Sequence, residues 1–131
     1  MPIKFDIRPD KSLVVVVHDG VVLDTEFLTT YQAMFGHDRF DYSYNLLVDL
    51  RRADSSARST DALKGFASFI EGKYANIKSC PKVAVAAPEN ISYGLARMYK
   101  AFSDTVPWDF MVFREVSDAL VWLGLDGDSL N

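Results

Sequence analysis

The chain has 131 residues, of which 49% are hydrophobic and 24% charged, and its formal net charge is −4. This length suits one domain and is too short for two of ordinary size. The acidic balance argues against general nucleic-acid binding, which requires a concentrated basic surface. The single cysteine excludes an internal disulfide, and we find no leader peptide or transmembrane segment, so we expect a cytoplasmic protein.

The start of the chain predicts an antiparallel β-hairpin. Hydrophobic Ile3, Phe5 and Ile7 alternate with charged residues, as in a strand with one buried face. Turn residues follow at 9–12, and residues 13–17 are a continuous run of leucine and valine that predicts a second, fully buried strand.

Helices and strands alternate in the rest of the chain. Apolar spacing and capping residues predict helices over 24–35, 60–77, 91–102 and 117–123, and strands over 44–50, 83–87 and 110–113. The order is therefore β-β-α-β-α-β-α-β-α. It predicts an α/β fold over residues 1–125, with a mixed, mostly parallel five-stranded sheet and right-handed crossovers, followed by a polar tail over 126–131.

Three segments carry a family resemblance. A glycine and two valines at 20–22 precede the first helix, residues 47–50 precede a serine-containing loop, and residues 113–123 end in an Ala and Trp-Leu pattern. With the element order, these segments resemble STAS (SpoIIAA-like) domains and the related small bacterial STAS/SEC14-like proteins from Ile3 to Gly124. The resemblance implies that fold and a regulatory, protein-interaction role.

Phosphorylatable STAS domains carry an Asp-Ser-Ser-Gly-like motif after the third strand, where a kinase modifies a serine. Here Asp54, Ser55 and Ser56 are followed by Ala57 in place of the glycine. The resemblance thus implies a phosphorylation switch in residues 51–60, with a departure at one motif position.

Ligands of parallel sheets bind beyond the carboxyl ends of the strands, and residues 51–60 are expected there. Three arginines and several hydroxyls converge in this segment at a helix start, which favours an anion or phosphate. The candidates are Arg51, Arg52, Asp54, Ser55, Ser56, Arg58, Ser59 and Thr60. The alternative is a solvated loop with a capped helix and surface ion pairs.

No catalytic, cofactor or metal motif is complete. Residues 90–94 approach the Gly-x-Ser-x-Gly nucleophile motif but lack the first glycine, and both histidines, His18 and His37, precede the serine. The spacing of Cys80 and the two histidines does not match a zinc site. We therefore expect a protein that is not an enzyme and has no cofactor or metal.

Two functions remain. The first is a non-catalytic STAS-like module that binds an unknown protein partner and is switched by phosphorylation or anion binding at residues 51–60. The second is a carrier or sensor of a small apolar or lipid-like ligand, lined by Phe27, Tyr31, Phe66, Ile70, Met98 and Phe102. The same residues at helical spacing also suit an ordinary core. The first strand, with an exposed edge, would allow a homodimer.

Overall fold

A computed structural model describes residues 2–127. Its strands are β1 (Ile3–Arg8), β2 (Leu13–Val21), β3 (Asn45–Asp54), β4 (Lys82–Ala86) and β5 (Asp109–Phe113). Its helices are α1 (Asp24–Phe35), α2 (Thr60–Tyr74), α3 (Asn90–Phe102) and α4 (Val116–Trp122), with short 3₁₀ turns at Pro9–Lys11 and Ser55–Ala57. The five strands form one sheet in the order β1-β2-β3-β4-β5. The pair β1–β2 is antiparallel and the other pairs are parallel, which confirms the predicted fold class.

The helices divide unequally between the two faces of the sheet. Each parallel connection steps one strand in the same direction, so right-handed crossovers place α1, α2 and α3 on one face. Their apolar residues pack with Val14, Val16, Leu46, Val83 and Val85 of the strands. Helix α4 lies on the other face and packs on a second cluster: Leu13, Val15, Leu47, Ala84 and Ala86.

Strands β2 and β3 are longer than the sequence predicts. They continue to Val21 and Asp54 because residues 19–21 pair in parallel with residues 52–54, after an irregularity that follows Val17. Residues 51–54 therefore belong to a strand, and only the second half of the 51–60 segment is a turn and a helix start. The sequence does not predict this part of β3 because its side chains are mostly polar. Backbone pairing, and not a buried apolar face, holds it in the sheet.

The helix starts are partly as expected. The sequence offers Ser59 or Thr60 as the cap of α2, and Ser59 takes this position: its hydroxyl oxygen accepts the Ala62 N–H at 3.0 Å. The sequence predicts Asp24 as the cap of α1, which is wrong: Leu23 occupies the N-cap position without a capping side-chain hydrogen bond, and Asp24 is the first helical residue. The predicted tail falls largely on residues 128–131, which lie outside the described residues. No helix within residues 2–127 is both long and apolar enough to cross a membrane.

Candidate functional site

A cavity of about 100 Å³ lies between the sheet and helices α1, α2 and α3. Apolar side chains from the strands form its floor, and aromatic and aliphatic side chains of the helices form its walls. Three aromatic rings pack together on the helical side: Phe66 lies 4.6 Å from Phe27 and 4.9 Å from Tyr31, centroid to centroid. Mostly apolar walls with a few polar groups are typical of small-molecule sites.

Four of the six residues expected to contact an apolar ligand line this cavity, namely Phe27, Tyr31, Phe66 and Ile70. The other two do not. Met98 is 39% exposed, and Phe102 packs at the edge of the core with the Lys64 ammonium 5.6 Å from its ring centroid. Both lie on α3, and the helical pattern alone did not distinguish a residue facing the cavity from one beside it.

Four polar side chains from three chain segments line the end of the cavity at the carboxyl ends of the strands. They are His18, Ser55, Arg58 and Ser92. The hydroxyl oxygens of Ser55 and Ser92 are 2.7 Å apart, so a hydrogen bond joins the turn after β3 to the first turn of α3. We call these four residues the polar mouth.

His18 is buried and its Nε2 lies 3.3 Å from the Tyr31 hydroxyl. Burial, helped by the nearby Arg58 charge and opposed by Asp49, lowers the pKa of His18 to about 4. The imidazole is therefore neutral at pH 7. It contributes a neutral polar group to the polar mouth rather than a positive charge.

The Arg58 side chain is only 8% exposed, and its guanidinium contacts a carboxylate, a backbone carbonyl and an aromatic ring. Its Nη1 donates to Asp24 Oδ1 at 2.7 Å, and its Nη2 donates to the Val22 carbonyl at 3.2 Å. The guanidinium lies 4.0 Å from the centroid of Phe27. Burial acts to raise the pKa of Asp24, but hydrogen bonds from Arg58 and Ser59 outweigh it and leave that pKa below its ordinary value.

The expected convergence of three arginines is wrong. Arg58 lines the cavity, whereas Arg51 and Arg52 line an open groove on the opposite side of the sheet. Arg51 forms an ion pair of 2.8 Å with Asp49, and Arg52 a looser one of 3.6 Å with Asp19. The register shift between residues 17 and 19 interrupts the usual alternation of faces beside these two arginines. Each arginine pairs with a different carboxylate. These residues do not form a common phosphate cradle.

The hydroxyl residues of the same segment differ in exposure. Ser56 is exposed, and its backbone N–H donates to Asp54 Oδ1 at 3.0 Å. Ser59 and Thr60 are also exposed, whereas Ser55 is half-buried in the polar mouth. Hydrogen bonds from Ser56 lower the pKa of Asp54. The role of these four hydroxyl residues as phosphorylation or anion-binding sites stays a prediction.

Several residues of the cavity escaped the sequence analysis. The sequence points to Ser92 only through an incomplete nucleophile motif, and to His18 only as a candidate for the histidine of that motif or for a zinc ligand. Tyr99 and Trp108 line the cavity as well. Nothing in their sequence neighbourhood distinguishes them from other core aromatics. Among residues 2–127, no group of three or more His, Cys, Asp or Glu is placed to hold a metal ion.

No protein-family model matches the chain, and no curated protein matches it. A solved structure does match: a crystal structure of an uncharacterized protein from the DUF3478 family, with a SpoIIAA-like fold, from Shewanella loihica PV-4. The match covers 92% of this chain and 91% of that chain, with 19% sequence identity and a TM-score of 0.53. The fold is SpoIIAA-like. The fold implied by the STAS resemblance is thereby confirmed, and at this identity the likeness concerns the fold alone.

Proposed function

We propose that this protein is a non-catalytic regulatory module that holds a small apolar molecule in its cavity. A protein partner would recognise the surface beside the polar mouth, whose conformation depends on whether the ligand is bound. The observation that carries the proposal is the cavity between the sheet and α1–α3, with its mostly apolar walls and few polar groups. Sites of this make-up bind small ligands, with the polar groups fixing their orientation.

The size of the cavity limits the ligand. An apolar cavity of about 150 Å³ lined by Leu, Ile and Phe is known to take up benzene. The cavity here measures about 100 Å³, so its ligand is a single ring or a short branched chain, and it is not a whole lipid. Filling this volume with ligand atoms would stabilise the fold by roughly 2 kcal/mol, since residual cavity volume costs about 24 cal/mol per Å³.

The link to a partner is proposed through the turn Ser55–Ala57 and the start of α2. This segment supplies Ser55 and Arg58 to the polar mouth, and Ser56, Ser59 and Thr60 to the exposed surface. A ligand that moved Ser55 or Arg58 would therefore change the surface that a partner meets. We expect this role in the cytoplasm, and a homodimer through the β1 edge remains a prediction.

Chemical extraction of the purified protein tests the proposal. Protein isolated from its own cells would be extracted with organic solvent and the extract analysed by mass spectrometry. We expect one small compound in near-stoichiometric amount. The Ala96→Leu variant, which fills the cavity from α3, should carry none, whereas Ala101→Leu, at an exposed position of the same helix, should carry as much as the parent. Equal amounts in all three proteins, or none in the parent, would contradict the proposal.

A second candidate function is a phosphorylation switch at Ser55. It is favoured by the hydrogen bond between Ser55 and Ser92, which ties the turn after β3 to α3. A phosphate brings nearly two negative charges and would break that bond beside the Asp24–Arg58 pair. The denaturing mass spectrum of the same purified protein tests it: a mass increase of one phosphate on a peptide containing Ser55 would support the switch, and an unmodified Ser55 during partner binding would contradict it.

A further inference from the structure

The inner part of the cavity contains hydrogen-bond donors without acceptors. Tyr99 and Trp108 both line it, and Trp108 Nε1 has no partner in hydrogen-bonding geometry within residues 2–127. The Ser103 side chain lies near Tyr99 Oη but does not meet that geometry. Tyr99 is only 6% exposed, and the two ring centroids are 6.2 Å apart. The hydroxyl of Tyr74, whose ring centroid lies 5.2 Å from that of Trp108, is also buried and has no partner among the described residues.

Buried polar groups are almost always hydrogen-bonded in folded proteins. Three such groups on neighbouring rings therefore indicate something that the protein residues do not supply. An indole N–H can only donate. Burial raises the pKa of Tyr99 well above its ordinary value and outweighs the hydrogen-bonding interaction of the nearby Ser103 side chain, which lowers it, so the hydroxyl keeps its proton at pH 7. The missing partner is thus a hydrogen-bond acceptor.

The charges around the cavity indicate a neutral acceptor. Arg58 is the one arginine or lysine among the residues that line it, and it is already held by Asp24 and the Val22 carbonyl. His18 is neutral at pH 7. An anion placed at the inner end would have no opposite charge to offset the loss of water.

We infer that the ligand of the cavity is a neutral molecule with a ring or short branched hydrocarbon and one acceptor atom, such as a carbonyl oxygen, which receives hydrogen bonds from Tyr99 and Trp108. This inference rests on the proposed function, because it specifies the ligand of the same cavity. It assigns orientation as well: the acceptor lies at the inner end, and the hydrocarbon part lies towards Phe27 and Phe66.

Three probes with equal numbers of non-hydrogen atoms test the inference: cyclohexanone, methylcyclohexane and pentanoate. The chain contains two tryptophans, so the proton-nitrogen NMR spectrum has two indole signals, which a Trp122→Phe variant assigns. Trp122 packs near Phe113 on the α4 face and serves as an internal control. We expect cyclohexanone to move the Trp108 indole proton downfield and to leave Trp122 unchanged, methylcyclohexane to bind without that downfield movement, and pentanoate not to bind.

A pair of hydroxyl deletions checks the contact from the protein side. Tyr99→Phe should weaken cyclohexanone about fivefold, the usual net effect of one hydrogen bond, and leave methylcyclohexane unchanged. Tyr31→Phe removes a hydroxyl that already faces His18 and should change cyclohexanone affinity less than twofold. Both substitutions keep the aromatic ring and the packing.

The outcomes separate the inference from the proposed function. If methylcyclohexane binds in the cavity but cyclohexanone neither moves the Trp108 signal nor responds to Tyr99→Phe, the neutral-acceptor inference is wrong and the cavity remains a ligand site. If pentanoate binds better than cyclohexanone, the inference of a neutral ligand is wrong. If none of the three probes binds, the proposed function fails too.

Discussion

The two faces of the sheet are built from the same strands but packed differently. On the α4 face, the alanines Ala84, Ala86 and Ala119 are fully buried, and small side chains let the helix lie close to the strands. On the α1–α3 face, large aromatic side chains meet the strands and leave a cavity of about 100 Å³. Here the rings do not fill all of the space between three helices and the sheet, whereas the small residues of the other face are buried completely. One face is therefore suited to stability and the other to binding.

The largest expected effect comes from truncating two neighbouring leucines of β3. Leu47 is completely buried on the α4 face, and Leu46 lines the cavity on the other face. We expect Leu47→Ala to lower the free energy of unfolding by about 3 kcal/mol and Leu46→Ala by about 2 kcal/mol. The difference arises because a side chain beside a cavity has fewer packing partners to lose.

Urea denaturation of both variants at one pH measures this difference. If Leu46→Ala lowered the free energy of unfolding as much as Leu47→Ala or more, the proposed difference in packing between the two faces would be wrong. The Leu46→Ala variant also provides a positive control for ligand binding. Because the substitution enlarges the cavity, the variant should bind a larger ring than the parent protein does.

The next effect separates the buried arginine from an exposed one. Arg58→Ala would leave the Asp24 carboxylate without its main partner and remove the cation from the face of Phe27. We expect a loss of about 2 kcal/mol in the free energy of unfolding. The matched Arg52→Ala removes an ion pair in which both side chains are more than half exposed, and should cost less than about 0.5 kcal/mol. Similar losses for the two variants would show that Arg58 is not a structural part of the polar mouth.

The third effect is a pH dependence from His18. Its pKa in the folded state is about 4, below the ordinary value of about 6.5, so the unfolded chain binds a proton that the folded chain does not. The contribution of neutral His18 to the free energy of unfolding is fully present above about pH 6.5 and is lost as the pH falls towards 4. We expect the free energy of unfolding to drop by about 2 kcal/mol between pH 7 and pH 5.

The variant His18→Gln keeps a polar side chain beside the Tyr31 hydroxyl and removes the titrating group. It should abolish most of this pH dependence. An unchanged pH profile in that variant would mean that the acid sensitivity arises elsewhere and that His18 is not held neutral in the cavity.

Much of the fold could be predicted because it depends on periodic patterns. Alternating residues identified β1, continuous valines identified β2, and the capping pattern narrowed the cap of α2 to Ser59 or Thr60, of which Ser59 is the cap. The ends of β2 and β3 could not be predicted, since residues 51–54 are mostly exposed polar residues held by pairing with residues 19–21. Such pairing depends on chain segments that are distant in sequence and leaves no local pattern.

The site was only partly predictable for a related reason. The helical pattern identified Phe27, Tyr31, Phe66 and Ile70 as inward-facing, but it could not show that their packing leaves a cavity. The pairing of each arginine with its own carboxylate also depends on three-dimensional positions, and without it the 51–60 segment resembled an anion site. His18 enters the site at the register shift within β2, and Ser92 enters it from the first turn of α3. Local sequence spacing indicates neither position.

The most direct test of the central claim is a benzene titration followed by proton-nitrogen NMR on the parent protein, Ala96→Leu and Ala101→Leu. The account predicts saturable shifts at residues around the cavity, including Phe66, Ile70 and the Trp108 indole, in the parent and in Ala101→Leu, and their loss in Ala96→Leu. Shifts that do not saturate, or that are the same in Ala96→Leu as in the parent, would contradict the claim that the α1–α3 face holds a ligand.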